Sequence, residues 1–468
     1  MRRSSRTALI IWAAITLMVA ASLLFIYARL GIDGFSLFIQ QPPLINLPVT
    51  LASVTLLWLS VGVLLYLIQT RRVNIANLPA VAGCFLICWT YLNILSERFR
   101  YGDYTYYFDA ATSLYRNQPL PGSYFYPPLW ATLLQFLVPF GRDNFFIVLW
   151  LLNFISLLIF YGLLLRILER YGFSPRLSAL LTILFMLVNV PLLRTLFYVQ
   201  VNLHAINFVL LSLLFYPRRA FLSALMLAFA VHLKASPAVL VLAFLLEKDW
   251  RWLGWFILSL VLLAGVTVLT DGISPFFDIL SHVQGLALSD NTIFHDTSFD
   301  SFLRFAGPFL RLDLLWTRIL IYTAKALLAV AAIVVMFQAA RSRAFFKPDA
   351  SISSAVERSA LMLNGILPLF VLMTLASPVV WEHHGIFLAL SFLILLKRLD
   401  SPSAWYWFGF AYLLEFLLPT FDFFPWSFGR LAAPLIVLGL LWFFSRTQKE
   451  STLFGAANRW LDSLHSSV

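Results

Sequence analysis

The chain has 468 residues, 61% of them hydrophobic and only 12% charged. A soluble domain carries about twice that share of charge, so a water-soluble globule is excluded, and no segment alternates as a membrane β-barrel strand must. The net charge of +11 does not indicate nucleic acid, because the basic residues stand at the ends of apolar runs, where headgroups and topology account for them.

Apolar runs long enough to cross a hydrocarbon core recur along the chain. They lie near 8–28, 47–69, 78–96, 145–168, 178–194, 203–217, 220–234, 237–247, 252–270, 316–340, 360–376, 385–397, 404–419 and 431–445. The expectation is an all-α polytopic membrane protein with about 12–14 transmembrane helices, in which the short run 237–247 is a broken or re-entrant element. The first run is too long for a signal-peptide core and shows no cleavage site, so it reads as an uncleaved helix. Cys84 and Cys88, four apart in one apolar run, read as packing thiols; a disulfide framework or zinc site has no support.

Orientation follows from Lys and Arg placement. With the N-terminus in the cytoplasm, the inner connectors hold, among others, Arg2, Arg3 and Arg6, then Arg71 and Arg72, Arg166, Arg170 and Arg176, Arg218 and Arg219, and Lys397 and Arg398. The same alternation sends the long loops 97–144 and 271–315 outward, together with the end of the Lys234 span and the Ser377–Gly385 segment. One face is elaborate and the other plain. The expected organisation is a single membrane domain over 1–446 and a short cytoplasmic tail over 447–468, with both termini cytoplasmic and the working face extracytoplasmic.

The first outer loop, RYGDYTYYFDAATSLYRNQPLPGSYFYPP from Arg100 to Pro128, is too polar and turn-rich for a connector. Asp103 stands just past a span end among Tyr101, Tyr104, Tyr106 and Tyr107. A carboxylate among aromatic rings suits sugar binding and can act as general base towards a hydroxyl; Asp109 competes for that role. Gln200 and Asn202 open a later span and either line a cavity or satisfy neighbouring backbone. Lys234, in AFAVHLKASP, either snorkels to the interface or offers a point charge to a lipid-linked phosphate, and Arg194, Arg304 and Arg311 are further outer cations for the same task. In SPVVWEHH, Glu382, His383 and His384 lie at a membrane boundary. H-E-x-x-H is absent and adjacent histidines converge poorly on one ion, so the histidines read as donors to a phosphate or sugar, oriented by Glu382, with no metal.

In order, Asp103 with its following Tyr, Tyr126-Pro127-Pro128, Gln200-x-Asn202, Lys234-x-x-Pro237 and Ser377-Pro-x-x-Trp381-Glu-His-His384 resemble the GT-C fold glycosyltransferases of family 87. These are polyprenyl-phosphate-mannose-dependent mannosyltransferases, and the similarity runs from about 97 to 398. The resemblance implies a membrane enzyme that moves a hexose, most often mannose, from a polyprenyl-phosphate carrier to a glycolipid or glycan. It implies a metal-independent, inverting single displacement with no cofactor. Asp103 matches the base, and Lys234, His383 and His384 match the groups near the donor phosphate. Tyr106, Tyr107, Asp109, Tyr126, Gln200, Asn202, Arg304 and Glu382 complete the expected substrate-binding set. Two departures stand out: Val199 replaces the Gly often found before Gln-x-Asn, and extra N-terminal helices precede the first large loop. The rival readings are a lipid or solute transporter or flippase, and an arabinosyl or other pentosyl transferase on the same fold. A transporter should show inverted repeats and ionisable residues at mid-membrane, whereas here nearly all of them stand at span ends.

Overall fold

A computed structural model describes residues 102–187, 189–288, 296–308, 310–346, 354–418, 428–446 and 451–463, with 9–21 and isolated positions up to 91. The described residues are helical or irregular, with no strand among them. They divide into two compact units, one of residues 1–101, 183–187 and 465–468, the other of 102–182 and 188–464. In the first unit the helix Leu9–Ala21 carries exposed Leu17 and Met18. Cys84 and Cys88 lie outside the described residues.

The second unit begins with α1 (Tyr104–Tyr115), whose inward face is Tyr107, Ala110, Ala111 and Leu114, a 3–4 spacing that puts all four on one side. A turn-rich stretch leads to α2 (Pro128–Leu134), started by proline at its first position, where no N–H is needed. A 3₁₀ extension, Gln135–Phe140, ends at Gly141, whose φ of 82° releases the chain into α3 (Arg142–Arg170). There follow α4 (Pro175–Leu187), α5 (Val190–Phe197), α6 (Asn202–Phe215) and α7 (Ala220–Leu233). The run 237–247 is broken, as expected, into a 3₁₀ turn, Ser236–Leu240, and α8 (Val241–Leu246). Next come α9 (Trp250–Asp271), α10 (Ser274–Leu288), α11 (Phe299–Ala306), α12 (Leu314–Ser342) and α13 (Ser354–Leu375). A 3₁₀ segment, Glu382–Leu388, runs into α14 (Ala389–Leu395), followed by α15 (Pro402–Tyr412), a π-turn at Leu413–Leu417, α16 (Gly429–Ser445) and α17 (Thr452–Ser463).

Helix α6 packs between α3 and α7, α7 also packs on α9, and α13 is held by α12, α8 and α16. The polar side chains of α6, Asn202 and Ser212, are buried, while α9 exposes Ile257, Val261, Leu262 and Leu269. Apolar groups outside and polar groups buried inside is the pattern of helices in lipid. The chain is a polytopic helical membrane protein.

Span lengths differ from the sequence expectation. Among the described residues α3, α9 and α12 are long and apolar enough to cross a membrane, with α4 and α5 together a fourth if counted as one broken span. Eight other apolar helices have 10–17 residues. A 14-residue helix covers only about 21 Å of a core about 30 Å thick. Hydropathy records the apolar run but not where its backbone tightens to 3₁₀ or loosens to π, and such changes shorten the runs 385–397 and 404–419.

The tail is docked. Asn458 accepts from the Ser174 backbone N–H at 2.7 Å, Arg176 donates to the Leu461 carbonyl at 2.6 Å, and Phe454 lies edge-on to Phe173 at 4.8 Å. These contacts fix α17 against the turn that follows α3.

Candidate active site

Asp103 is delivered by a close backbone approach. Its N–H donates to the Tyr198 carbonyl at 2.8 Å. A Cβ on Gly102 would stand 2.9 Å from that carbonyl oxygen and 3.1 Å from the Tyr198 Cα, so only glycine lets the two segments meet. The Asp103 carboxylate accepts from the Gln200 side-chain amide. Burial pushes its pKa up to about 6, against the opposing effects of the Gln200 hydrogen bond and the Lys234 charge. A carboxylate so tuned is ionised near neutrality and still basic enough to take a proton.

Gln200 is fully buried, and both ends of its amide are engaged. The carbonyl oxygen accepts from the Tyr126 hydroxyl at 2.9 Å and the Tyr107 hydroxyl at 3.3 Å. The Tyr107 oxygen in turn accepts from the Val201 backbone N–H at 3.3 Å. The amide orientation is therefore set: oxygen to the tyrosines, nitrogen to Asp103. Val199, just before it, has φ of 54°, a left-handed conformation that glycine adopts freely and a β-branched residue does not. The backbone thus keeps the form that the often-found glycine would give.

Asn202, also fully buried, makes the next bridge. Its oxygen accepts from the Lys234 ammonium at 2.8 Å and its nitrogen donates to the His383 carbonyl at 3.2 Å. Lys234 follows the end of α7, its ammonium 5.5 Å from the centre of the Phe387 ring. The rings of His383 and His384 stand edge to face at 4.7 Å, and Tyr198 lies 6.2 Å from His383. His384 Nδ1 accepts from the Trp381 backbone N–H at 3.1 Å. In the neutral ring this leaves the proton on Nε2, where it can be donated.

Glu382 is engaged by cations. It pairs with Arg194 at 2.7 Å and with Arg430 at 3.9 Å. Arg430, itself buried, also donates to the Glu415 carbonyl at 2.6 Å and to the Leu418 carbonyl. Gly385 makes room for this cluster, since a Cβ there would fall 2.0 Å from the Glu415 carboxylate.

Asp103, Tyr107, Tyr126 and Gln200 are thus joined by hydrogen bonds, as are Lys234, Asn202 and the His383 backbone next to His384, and the two sets meet through the Gln200–Asn202 turn, while Glu382 meets the cations Arg194 and Arg430. Asp109 is not in this chain of contacts: it is exposed and, two helical positions from inward-facing Tyr107, points about 200° away from it, whereas Tyr106, exposed on the same helix, stands close enough to Tyr126 to act on it electrostatically. Arg304 lies half-buried on α11. Sequence reasoning missed Arg430 and Asp296. Arg430 opens an apolar helix and looked like an end-of-span anchor, and Asp296 lies in a loop with no motif. Among the described residues no three of His, Cys, Asp or Glu gather closely enough to hold a metal ion.

The family model described as glycosyltransferase family 87 matches residues 124–363, which include Tyr126, Gln200, Asn202, Lys234 and Asp296. No curated protein and no solved structure matches the chain.

Proposed function

This chain belongs to glycosyltransferase family 87, and we propose that it transfers a hexose, with mannose the expected sugar, from a polyprenyl-phosphate donor to a hydroxyl of a glycolipid or glycan. As a member of the family it is a membrane glycosyltransferase. The observation that carries the finer reading is the pairing of a tuned carboxylate with a half-buried cation through two residues of one turn. Gln200 holds Asp103, and Asn202, two residues on, holds Lys234.

In this reading the Asp103 carboxylate takes the proton of the acceptor hydroxyl as its oxygen attacks the anomeric carbon. The bond from that carbon to the phosphate oxygen breaks, and its electron pair leaves with the polyprenyl phosphate. Attack from the face opposite the leaving group inverts the anomeric centre. One carboxylate suffices, unlike the pair a glycosidase needs, because the phosphate departs without being protonated. Lys234 and the Nε2–H of His384 would offset the charge that grows on the leaving phosphate, where preorganised donors act most strongly. Gln200 keeps Asp103 aimed, and Tyr107 and Tyr126 keep Gln200 from rotating.

An extracytoplasmic site is supported by the contacts. The segments that charge alternation sends outward, around Asp103, Lys234 and His383, are the ones that touch one another. The basic ends sent inward, at Arg176 and Lys397, meet the α17 tail instead.

The test is transfer from radiolabelled polyprenyl-phospho-mannose in membranes that contain the wild type or Asp103→Asn, with source lipids as acceptors. A labelled product that disappears with Asp103→Asn is expected. Absence of transfer from mannose and from every other polyprenyl-linked sugar tried would sink the donor class.

A further inference from the structure

The segment that carries the two histidines is irregular from Ser377 to Trp381, so its backbone groups need partners from elsewhere. Val380, buried in this segment, finds both of its partners in the second outer loop. Its N–H donates to Asp296 at 2.8 Å. Its carbonyl accepts from the Thr297 N–H at 2.7 Å and from the Thr297 hydroxyl at 3.0 Å. The Asp296 carboxylate also accepts from the Ser298 N–H at 3.0 Å and the Ser298 hydroxyl at 3.1 Å. Ser298 caps α11, and Asp300 on that helix is paired with Lys325 of α12. The clamp therefore has a rigid base.

The Val380 carbonyl belongs to the same planar peptide unit as the Trp381 N–H. That N–H is the group that donates to His384 Nδ1 at 3.1 Å. Fixing the carbonyl fixes the direction of the N–H, and with it the rotation and tautomer of the imidazole. We propose that Asp296 and Thr297 are positioning residues that lock the Val380–Trp381 peptide plane and thereby hold His384 with its Nε2–H presented to the donor phosphate. This rests on the function proposed above for the His384 side, whereas the clamp itself is independent of it.

Asparagine at 296 can still accept from the Val380 and Ser298 N–H groups, and its NH₂ can donate to the Ser298 hydroxyl, so Asp296→Asn should preserve the clamp. Asp296→Ala should break it. The experiment combines two readouts on full-length protein in lipid nanodiscs. In hydrogen–deuterium exchange, the peptide covering 377–384 should exchange faster in Asp296→Ala than in wild type, with Asp296→Asn restoring protection and peptides of α3 and α9 unchanged. In donor kinetics, Asp296→Ala should lower kcat/KM by on the order of tenfold to a hundredfold, with Asp296→Asn largely restored and the KM for acceptor unmoved. In a His384→Ala background the same substitution should cost little more, because its effect passes through the imidazole.

Unchanged exchange at 377–384 in Asp296→Ala would overturn the clamp. Losses from Asp296→Ala and His384→Ala that multiply would overturn its route through His384. If the wild type transferred no sugar from any polyprenyl-phosphate donor, the proposed function would fall instead, and the exchange data would still decide whether Asp296 holds this segment.

Discussion

The Gln200 amide nitrogen donates to the Asp103 carboxylate while its oxygen receives the Tyr126 hydroxyl at 2.9 Å. The glutamine is thus a strut between the Asp103 carboxylate and an aromatic wall. Gln200→Ala removes a hydrogen bond to an ionised group, worth about 1.5–3 kcal/mol, so transfer should fall roughly tenfold to a hundredfold. The Gln200 hydrogen bond opposes the rise in the Asp103 pKa, so its loss should also move the acidic limb of the rate profile upward. A fall in rate with an unmoved limb would count against the contact with Asp103.

The pH dependence of the wild type follows from the Asp103 value of about 6, raised by burial. As the proposed base, Asp103 works only when ionised, so kcat/KM should rise with pH through about 6. Asp296 is also raised to about 6 by burial; Asp296→Asn should keep the limb and Asp103→Asn should abolish transfer. The stability sign is opposite. A carboxyl whose folded pKa is raised is favoured when protonated, so its ionisation costs stability as pH rises from the ordinary value of 3.8 through about 6. Asp103→Asn should therefore melt no lower than wild type at pH 7.5. A clear drop in Tm would mean the carboxylate is needed for the fold, and loss of transfer would no longer identify the base.

The order of polar residues along the chain gave Asp103, Gln200, Asn202, Lys234 and the two histidines, because charged and amide groups at the ends of apolar runs are costly without a task. Their pairing was not legible. That Gln200 serves Asp103 and Asn202 serves Lys234 depends on Gly102 lying against Tyr198, across nearly a hundred residues of sequence. Asp109 looked equal to Asp103 on composition, and only its position on α1, turned away from Tyr107, separates them. Arg304 was legible as a cation near a boundary, but its charge alone did not say whether it meets the site. Helix lengths were hidden for a similar reason: an apolar run reads the same whether its backbone is α, 3₁₀ or π.

Val199 offers a test of how much its unusual backbone matters. A left-handed β-branched residue costs about 1–2 kcal/mol, and glycine would remove that strain. Val199 is nevertheless 2% exposed, and loss of its buried side chain costs about 1.5–3 kcal/mol. Burial outweighs strain, so Val199→Gly should lower stability by on the order of 1 kcal/mol while leaving transfer near wild type, since Gln200 keeps its place. A stable but slow Val199→Gly enzyme would show that the valine side chain itself shapes the site.

The cation cluster around Glu382 makes an asymmetric prediction. Glu382 faces Arg194 at 2.7 Å and Arg430 at 3.9 Å; Arg194 has a side chain 36% exposed, whereas that of Arg430 is 5% exposed. Removing Arg194 leaves Glu382 a buried partner and leaves no stranded charge. Removing Glu382 takes one carboxylate from Arg430 but leaves it that of Glu415, so the loss falls short of about 3–5 kcal/mol, the cost of breaking a lone buried pair. The two carbonyls that Arg430 still reaches, those of Glu415 and Leu418, reduce the loss further. Glu382→Ala should therefore melt below Arg194→Ala in detergent. Equal melting of the two single variants would mean that Glu382 acts on Arg194 alone, and that the buried arginine is held by its carbonyls.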